Sequence, residues 1–445
     1  MPTPSESQAS EPEGIGILKK EIETTALEPV AGNGLLHRRI FLTGGAALLG
    51  AGSLGLMAAR PAAAQGSSDV SPWMRAPGAG MSGYGSRARY EDHVERTVAS
   101  APGTTGAGAS RTPLESLEGI ITPSALHFER HHSGIPDIDP DAHRLLIHGL
   151  VGRPLTFTMD ALSRYPMVSR IQFLECSGNS RVGLSEQPAG GSCGQLHGLV
   201  SCSEWTGVPL AALLEEAGVE PGGQWLLCEG ADAAAMSRSV PLAKAMDDAL
   251  LAIYQNGESL RPENGYPLRL FLPGYEGNIS VKWLRRIKVT AEPTMTKDET
   301  SKYTDLMPDG RSRMFTFPME VKSVITSPSP TLTLAGPGLY QISGIAWSGR
   351  GRISRVEVSA DGGRSWAEAA LSEPVLSRAL TRFRMAWRWD GGPSVIMSRA
   401  VDETGAIQPT RDQLIAAKGT RFYYHYNGVQ PWRVAAGGEV SNVHA

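Results

Sequence analysis

The chain has 445 residues, of which 41% are hydrophobic and 20% are charged, and its formal net charge is −3. This length exceeds that of one ordinary domain, so we expect two folded domains with additional segments. The near-neutral charge and the lack of a lysine- or arginine-rich tract argue against a general nucleic-acid-binding protein. Four cysteines are too few for a disulfide scaffold in a chain of this size. The sequence alone does not tell whether Cys193 and Cys202 pair.

Residues 1–64 predict an export leader. Arg38 and Arg39 precede a glycine-punctuated apolar run, 44–59, and small residues follow it up to Ala64. The run is short for a membrane span, and the pattern resembles a twin-arginine signal with cleavage after Ala64. We therefore expect a periplasmic protein that is exported after folding, although the segment before Arg38 is longer than most such signals carry. A cytosolic disordered tail is the alternative.

The next segments predict an α+β domain. Residues 65–112 are rich in Gly, Ser, Pro and Arg and predict a loop-like N-terminal extension, with a short helix around 90–98. Short period-2 segments with few helices follow in residues 113–295, a pattern that differs from regular strand–helix–strand repeats. The predicted strands are 143–149, 155–158, 168–173, 225–228 and 251–255, and the predicted helices are 159–164, 210–217 and 242–249.

A second domain of all-β texture is predicted after a linker at 296–316. Residues 317–445 contain period-2 segments separated by turns, which favour a β-sandwich. The predicted strands are 339–347, 353–359, 382–389, 394–400 and 421–426.

Cys176 is the main candidate for a functional residue. It follows a predicted strand and opens a turn of small residues, Ser177-Gly178-Asn179. It could be a buried structural thiol, or a nucleophile paired with one of three histidines. It could also be a soft thiolate ligand of a transition metal, whose remaining ligands a cofactor would supply. The residues alone leave all three interpretations open. The candidate partner histidines are His131, His132 and His197.

Six short motifs occur along the first domain in a fixed order. They are Phe128-Glu129-Arg130-His131-His132, Cys176-Ser177-Gly178-Asn179, Trp205-Thr206-Gly207-Val208-Pro209-Leu210, Asn256-Gly257, Gly265-Tyr266-Pro267-Leu268-Arg269 and Ser280-Val281-Lys282-Trp283-Leu284-Arg285-Arg286-Ile287. Together they resemble the molybdenum-cofactor domain of the sulfite oxidase family. The resemblance implies molybdenum ligated by Cys176 and by the dithiolene of molybdopterin, a pyranopterin.

The resemblance also implies roles for other residues. Arg130 and Arg181 would line an anion pocket that faces the metal, and Tyr303 would be the active-site tyrosine. Arginine, lysine and backbone N–H groups suit a phosphate. For Arg269 and Lys282 the alternative is ordinary surface charge, and for Tyr303 it is a packed tyrosine without a role. The residues implied to hold the pterin and its phosphate are Phe128, Glu129, Arg130, His131, His132, Asp232, Arg269, Ser280, Val281 and Lys282.

The second domain carries motifs of its own. Gly344-Ile345-Ala346-Trp347-Ser348-Gly349 and the segment 356–366 resemble the family's C-terminal immunoglobulin-like dimerisation domain. The implied fold is thus an α+β sulfite-oxidase-type molybdenum-cofactor domain followed by an all-β immunoglobulin-like sandwich. A homodimer core follows from the resemblance.

The resemblance implies that water-derived oxygen is added to sulfur, with electrons passed to an acceptor. No Cys-x-x-Cys-His haem-attachment sequence is present, so we expect no haem on this chain and a c-type cytochrome subunit as partner. Within the family the chain most resembles molybdenum subunits of sulfane dehydrogenases, whose substrate is a sulfane sulfur on a carrier protein of thiosulfate oxidation. A periplasmic sulfite dehydrogenase is the alternative, and a cofactor-free binding module is a third reading.

Two departures from the family bear on the substrate. Asn264 and Asn427 stand where sulfite oxidases commonly carry histidine and arginine. A pocket with fewer positive groups would suit free sulfite less well.

Overall fold

The computed structural model describes residues 29–38 and 70–444, and strands dominate this part of the chain. In chain order the strands are β1 (Pro29–Ala31), β2 (Leu35–Leu36), β3 (Thr97–Ser100), β4 (Gly108–Arg111), β5 (Glu129–His131), β6 (Arg144–Gly149), β7 (Leu155–Thr158), β8 (Val168–Glu175), β9 (Val200–Pro209), β10 (Trp225–Gly230), β11 (Ser237–Pro241), β12 (Leu250–Gln255), β13 (Glu258–Ser259), β14 (Arg269–Phe271), β15 (Leu284–Thr290), β16 (Asp305–Leu306), β17 (Ser312–Arg313), β18 (Lys322–Ser327), β19 (Gly338–Trp347), β20 (Ile353–Ser359), β21 (Ala367–Glu368), β22 (Ala370–Leu371), β23 (Thr381–Trp389), β24 (Ser394–Asp402), β25 (Pro431–Val434) and β26 (Val440–Asn442).

The α-helices in the same residues are short. They are α1 (Met159–Ser163), α2 (Cys193–His197), α3 (Leu210–Ala217), α4 (Leu242–Asp247), α5 (Lys297–Thr300) and α6 (Arg411–Lys418). Among the described residues, no helix is long and apolar enough to cross a membrane. The predicted leader's Arg39, its apolar run 44–59 and Ala64 lie outside the described residues.

Two five-stranded sheets form the body of the first domain. One has the order β11-β10-β15-β6-β7, in which only β15 and β6 run parallel. The other has the order β13-β12-β9-β8, and its fifth strand, β14, also pairs with β12. Helix α3 begins after Pro209 and ends at Gly218, whose φ of +69° suits glycine. Its predicted bounds are confirmed, and its buried leucines join the core between the sheets.

The end of the predicted extension belongs to a sheet. Strands β3, β4 and β5 form a three-stranded antiparallel sheet that leads into the Phe128–His132 motif. The helix predicted around 90–98 is wrong, because the chain makes a 3-10 turn at Arg89–Glu91 and then enters β3. Pairing with the distant β4 decided this segment, which local propensity could not show.

The C-terminal domain is built from two sheets that share one apolar core. One sheet has the order β1-β2-β23-β19-β18 with β22 on β23, and the other has β21-β20-β24-β25-β26. Ile342 and Trp347 of the first sheet and Val356 and Ile396 of the second lie in the same buried cluster. The C-terminal domain is β-rich, as predicted, but it is not all-β, because helix α6 belongs to it.

The strand predicted at 421–426 is wrong. This segment has no regular structure, and the backbone N–H groups of Tyr423 and Tyr424 donate to Asp305 Oδ1 at 2.8 and 2.9 Å. One carboxylate thus replaces the hydrogen bonds that a neighbouring strand would supply.

Candidate active site

The cysteine turn follows strand β8, which takes part in the longest antiparallel pairing of the first domain. β8 pairs with β9 along its whole length, ending at Glu175 opposite Val200. Cys176 N then donates to Leu199 O at 2.9 Å, and Asn179 N donates to Cys176 O at 2.9 Å. These bonds hold the half-buried Cys176 just beyond the end of the strand, on a rigid turn.

Glu175 ties this turn to the second domain. Its carboxylate accepts hydrogen bonds from Asn179 Nδ2 at 2.9 Å, Lys322 Nζ at 2.9 Å and Trp347 Nε1 at 2.6 Å. Each of these side chains is buried. The residue before the cysteine is therefore held from both domains at once.

An inner cavity collects most of the residues that the family resemblance singled out. It is lined by Phe128, Glu129, Arg130, His131, His132, Cys176, Asp232, Arg269, Ser280, Val281, Lys282 and Tyr303. Residues separated by more than 170 positions thus meet around one space. Asp232 Oδ1 and Ser280 Oγ accept hydrogen bonds from the backbone N–H groups of Met236 and Leu272, at 3.4 and 3.0 Å.

A buried cation, Arg269, and a half-buried one, Lys282, lie side by side in this cavity. Lys282 Nζ contacts His131 Nδ1 at 2.8 Å and donates to the carbonyls of Glu263 and Arg130 at 3.1 and 3.3 Å. Arg269 Nη1 donates to Asn264 O at 3.1 Å, while its buried Nε has no hydrogen-bond partner in the described part of the chain. Burial lowers the pKa of Arg269 to about 9, and burial together with the charge of Arg269 lowers the pKa of Lys282.

These features fit a cofactor that carries a phosphate and a metal. A buried guanidinium with an unpartnered N–H, next to a half-buried ammonium, needs an anion to offset its desolvation. Arg269 and Lys282 would hold the phosphate, and Cys176 would ligate the metal. In residues 29–38 and 70–444, no cluster of three or more His, Cys, Asp or Glu side chains could hold a metal ion.

Tyr303 and His132 lie between the inner cavity and a second, outer one. His132 Nε2 is 3.2 Å from the Tyr303 hydroxyl, and the Arg238 guanidinium lies 4.5 Å from the tyrosine ring centroid. Burial raises the pKa of Tyr303 and lowers that of His132 to about 4. Tyr303, His132, Arg130 and Cys176 line both cavities. The cysteine is therefore reached from outside through this group.

The outer cavity has a volume of about 980 Å³ and a cationic lining. Its described lining residues include no aspartate or glutamate. Arg181 lies here, with its guanidinium 3.8 Å from the Tyr423 ring centroid. The positively charged lining residues are Arg111, Arg130, Arg181, Lys302 and Arg421.

Sequence reasoning missed several of these residues. Arg111 comes from the predicted extension, Lys302 from the predicted linker, and Arg421, Tyr423 and Tyr424 from the wrongly predicted strand. No local pattern marks them, since they meet only when both domains are folded. Of the two departures, Asn264 lines the inner cavity, whereas Asn427 is buried and donates to Val321 O at 3.1 Å, away from both cavities. The expectation of fewer positive groups therefore does not describe the outer cavity.

The alternatives for Cys176 lose support. Burial raises the pKa of its thiol, and the three candidate histidines are hydrogen-bonded elsewhere: His131 to Glu129, His132 to Tyr303, and His197 to Ser180. A protonated thiol without a base is a weak nucleophile. All four cysteines are free, so Cys193 and Cys202 do not pair, and unlike Cys176 the other three are fully buried.

Comparison with known proteins agrees with this geometry. Residues 132–297 match the oxidoreductase molybdopterin binding domain, and residues 313–430 match the Mo-co oxidoreductase dimerisation domain. Sulfite oxidase of Gallus gallus is 33% identical over 323 residues, which cover 67% of this chain and 70% of that protein. The chain belongs to the sulfite oxidase family of molybdenum enzymes.

Other members of the family show the breadth of the match. Human mitochondrial sulfite oxidase is 33% identical over 302 residues, and the aligned part spans 53% of that protein. The crystal structure of the sulfane dehydrogenase SoxCD from Paracoccus pantotrophus is 46% identical, with a TM-score of 0.83. That match covers 85% of this chain and 98% of the other. Both domains of this chain are thus typical of the sulfite oxidase family.

Proposed function

We propose that this chain is the molybdenum subunit of a periplasmic sulfane dehydrogenase. Its substrate is a sulfane sulfur carried on a cysteine of a sulfur-carrier protein in thiosulfate oxidation. Each oxygen atom added to sulfur comes from water, and each addition releases two protons and two electrons, which pass to a c-type cytochrome subunit. Similarity to the sulfane dehydrogenase SoxCD along nearly the whole of that chain supports the proposal.

The outer cavity is the observation that carries the substrate class. Free sulfite has four heavy atoms, whereas a cavity of about 980 Å³ has the size of pockets that enclose much larger ligands. Its lining has five positively charged side chains and, among the described residues, no carboxylate. A polypeptide segment that presents an anionic sulfur group matches both the size and the charge of this space.

The chain's own residues supply binding and orientation. When bound, the molybdenum cofactor supplies oxygen-atom transfer to sulfur. Arg130 and Arg181 hold the oxyanion that grows on the sulfur and stabilise its charge. Tyr303 and His132 position the sulfur between the inner and outer cavities, and their hydroxyl–imidazole contact at 3.2 Å fixes the tyrosine hydroxyl.

The remaining parts of the proposal concern assembly and location. The second domain is an immunoglobulin-like sandwich through which two copies form the core of a hetero-oligomer, as its match to the dimerisation domain supports. The haem that accepts electrons lies on the partner subunit. The basic pair at Arg38 and Arg39 directs export by the twin-arginine route.

A periplasmic sulfite dehydrogenase is the second candidate. Sulfite is a small dianion, and the cationic lining around Arg130 and Arg181 suits it. Similarity to sulfite oxidases of animals also favours this activity. Sulfite would fill only a small part of the outer cavity, and for this reason we rank the sulfite dehydrogenase function second.

Steady-state kinetics with two substrates separates the candidates. The purified enzyme, with a ferric c-type cytochrome as acceptor, is given free sulfite or a carrier protein whose cysteine bears a sulfane sulfur. We expect rapid cytochrome reduction with the carrier and slow reduction with sulfite. Arg421→Ala should raise KM for the carrier, whereas Arg433→Ala, exposed on β25, should not. Rapid oxidation of sulfite without any carrier would overturn the proposal in favour of the second candidate.

A further inference from the structure

The segment before the basic pair is folded onto the second domain. Strands β1 and β2 pair with each other, and Leu35 of β2 pairs with Trp387 of β23, which extends the six-stranded sheet. Leu35 and Leu36 are fully buried. Leu35 lies in the main core of the second domain, and Leu36 packs against Ala386 and Leu339. A leader that the mature protein would lose therefore contributes to the core.

Specific hydrogen bonds accompany this packing. Trp387 Nε1 donates to Asn33 O at 2.7 Å, Asn33 Nδ2 donates to Ala360 O at 2.8 Å, and Gly32 N donates to Ser365 Oγ at 2.7 Å. The acceptors and donors lie on β23 and around the turn after β20. The segment thus contacts several elements that come together only in the folded domain.

The backbone of the segment suits its residue types. Asn33 and Gly34 both have positive φ, 55° and 82°, a region that asparagine and glycine tolerate best. A Cβ at Gly34 would lie 2.0 Å from the carbonyl oxygen of Arg388. Only glycine lets the chain approach β23 this closely, so the Asn33-Gly34 turn is a requirement for docking.

Arg38 of the basic pair stands at the border of the docked segment. Its guanidinium forms an ion pair with Glu368 of β21, in the second sheet of the same domain. We propose that residues 29–38 are a docking peptide by which the folded second domain binds its own export leader and holds Arg38 of the basic pair until the peptide is displaced. This inference rests on the export proposed above, and not on the catalytic activity.

Strand addition to a sheet edge explains why docking depends on folding. Pairing with β19 holds β23 extended and leaves its other edge ordered for a further strand. Because the peptide is covalently attached, its effective concentration at the edge is high and modest contacts suffice. Docking therefore occurs only in a chain whose second domain has folded, and it precedes recognition of the leader for export.

Limited proteolysis with trypsin tests this on the full-length chain. Cleavage after Arg38 requires the docked residues that precede it to leave the domain surface. We expect Gly34→Val to speed cleavage there at least about tenfold, because the added side chain meets the Arg388 carbonyl. Val30→Asp is the matched control, since Val30 belongs to the same segment but is 42% exposed, and its cleavage should match the unmodified chain.

Hydrogen exchange shows whether the domain itself stays folded. Amides of Gly32 and Leu35 should exchange slowly in the unmodified chain and rapidly in Gly34→Val, while β19 is unchanged. Asn33→Ala, which loses the bond to Ala360, gives a milder variant if Gly34→Val disturbs the core. Equal cleavage rates in all variants, or rapid exchange of residues 29–38 in the unmodified chain, would overturn the docking peptide. Neither measurement uses turnover, so a failed sulfur-oxidation assay leaves this test intact.

Discussion

Lys322 Nζ lies 2.9 Å from Glu175 Oε1, and this buried pair joins the residue before Cys176 to the second domain. The side chains are 4% and 1% exposed. Burial lowers the pKa of Lys322 and the charge of Glu175 opposes that shift, so the pair is coupled. The position of the candidate metal ligand thus depends on a domain that does not itself line the inner cavity.

Removing one partner of this pair should destabilise the protein strongly. Lys322→Met leaves the Glu175 carboxylate buried without its cation, which should lower the free energy of unfolding by roughly 3–5 kcal/mol. Urea denaturation measures it. Arg352→Ala, which breaks the exposed pair with Glu403, should change the free energy of unfolding by less than about 1 kcal/mol. Equal effects of the two substitutions would contradict a structural role for the Glu175–Lys322 pair.

Cys176→Ser should abolish turnover. A hydroxyl is a poor replacement for a soft thiolate, and we expect kcat to fall at least about 100-fold, beyond the effect of changing an outer-shell group. The measurement is cytochrome reduction together with the molybdenum content of the purified protein. Cys228→Ala, in the core of the first domain, should retain turnover per molybdenum. Full activity of Cys176→Ser with molybdenum retained would refute the ligand assignment.

Arg269→Met should reduce the pterin content of the purified protein. The substitution removes a buried guanidinium whose Nε has no partner among the described residues, and with it a donor to the cofactor phosphate. Pterin is measured by its fluorescence after release by denaturation. Arg286→Ala, which breaks a pair with Glu229 outside the cavity, is the matched control and should retain the pterin. The same pterin content in both variants would remove Arg269 from the cofactor site.

Tyr423→Ala should weaken substrate binding more than catalysis. The ring lies 3.8 Å from the Arg181 guanidinium, and a cation–π contact of this kind contributes roughly 0.5–1 kcal/mol. Without it Arg181 is less well ordered, so KM for the anionic substrate should rise about two- to fivefold with a smaller change in kcat. Tyr423→Phe keeps the ring and should resemble the unmodified enzyme. A fall in kcat alone would place Tyr423 in the chemical step instead.

The protein should lose stability in acid through two buried histidines. Burial lowers the pKa of His127 and of His197 to about 3, whereas both are near 6.5 when unfolded. Between about pH 6 and pH 3 the unfolded chain therefore binds up to two more protons, and the free energy of unfolding falls by up to about 2.7 kcal/mol per pH unit as pH decreases.

Denaturation at a series of pH values tests that dependence. His197→Asn removes one of the two groups and should make the decline between pH 6 and pH 4 shallower. His93→Asn, at an exposed position, should leave the decline unchanged. An unaltered slope in His197→Asn would show that His197 does not contribute to the acid sensitivity.

Much of the inner cavity was predicted from short sequence motifs that resemble those of the sulfite oxidase family. The strand before Cys176, the small residues after it and the spaced motifs around Arg269 and Lys282 are each short and contiguous. Each is a continuous stretch of sequence, so its resemblance to the family is visible without the tertiary structure. Helix α3 is similar, because Pro209 and Gly218 mark its ends.

The outer cavity and the contact of residues 29–38 with the second domain were not predictable in this way. Arg111, Lys302 and Arg421 meet because β4, the linker and the irregular segment at 421–426 pack together. No sequence pattern predicts that these three residues lie close together. The same holds for Leu35 against Trp387, which are 352 positions apart by their numbering. The sequence by itself determined the thiol turn, and its resemblance to the family pointed to Arg269 and Lys282. Only the tertiary structure decided what surrounds them, because long-range packing sets which distant side chains share a space.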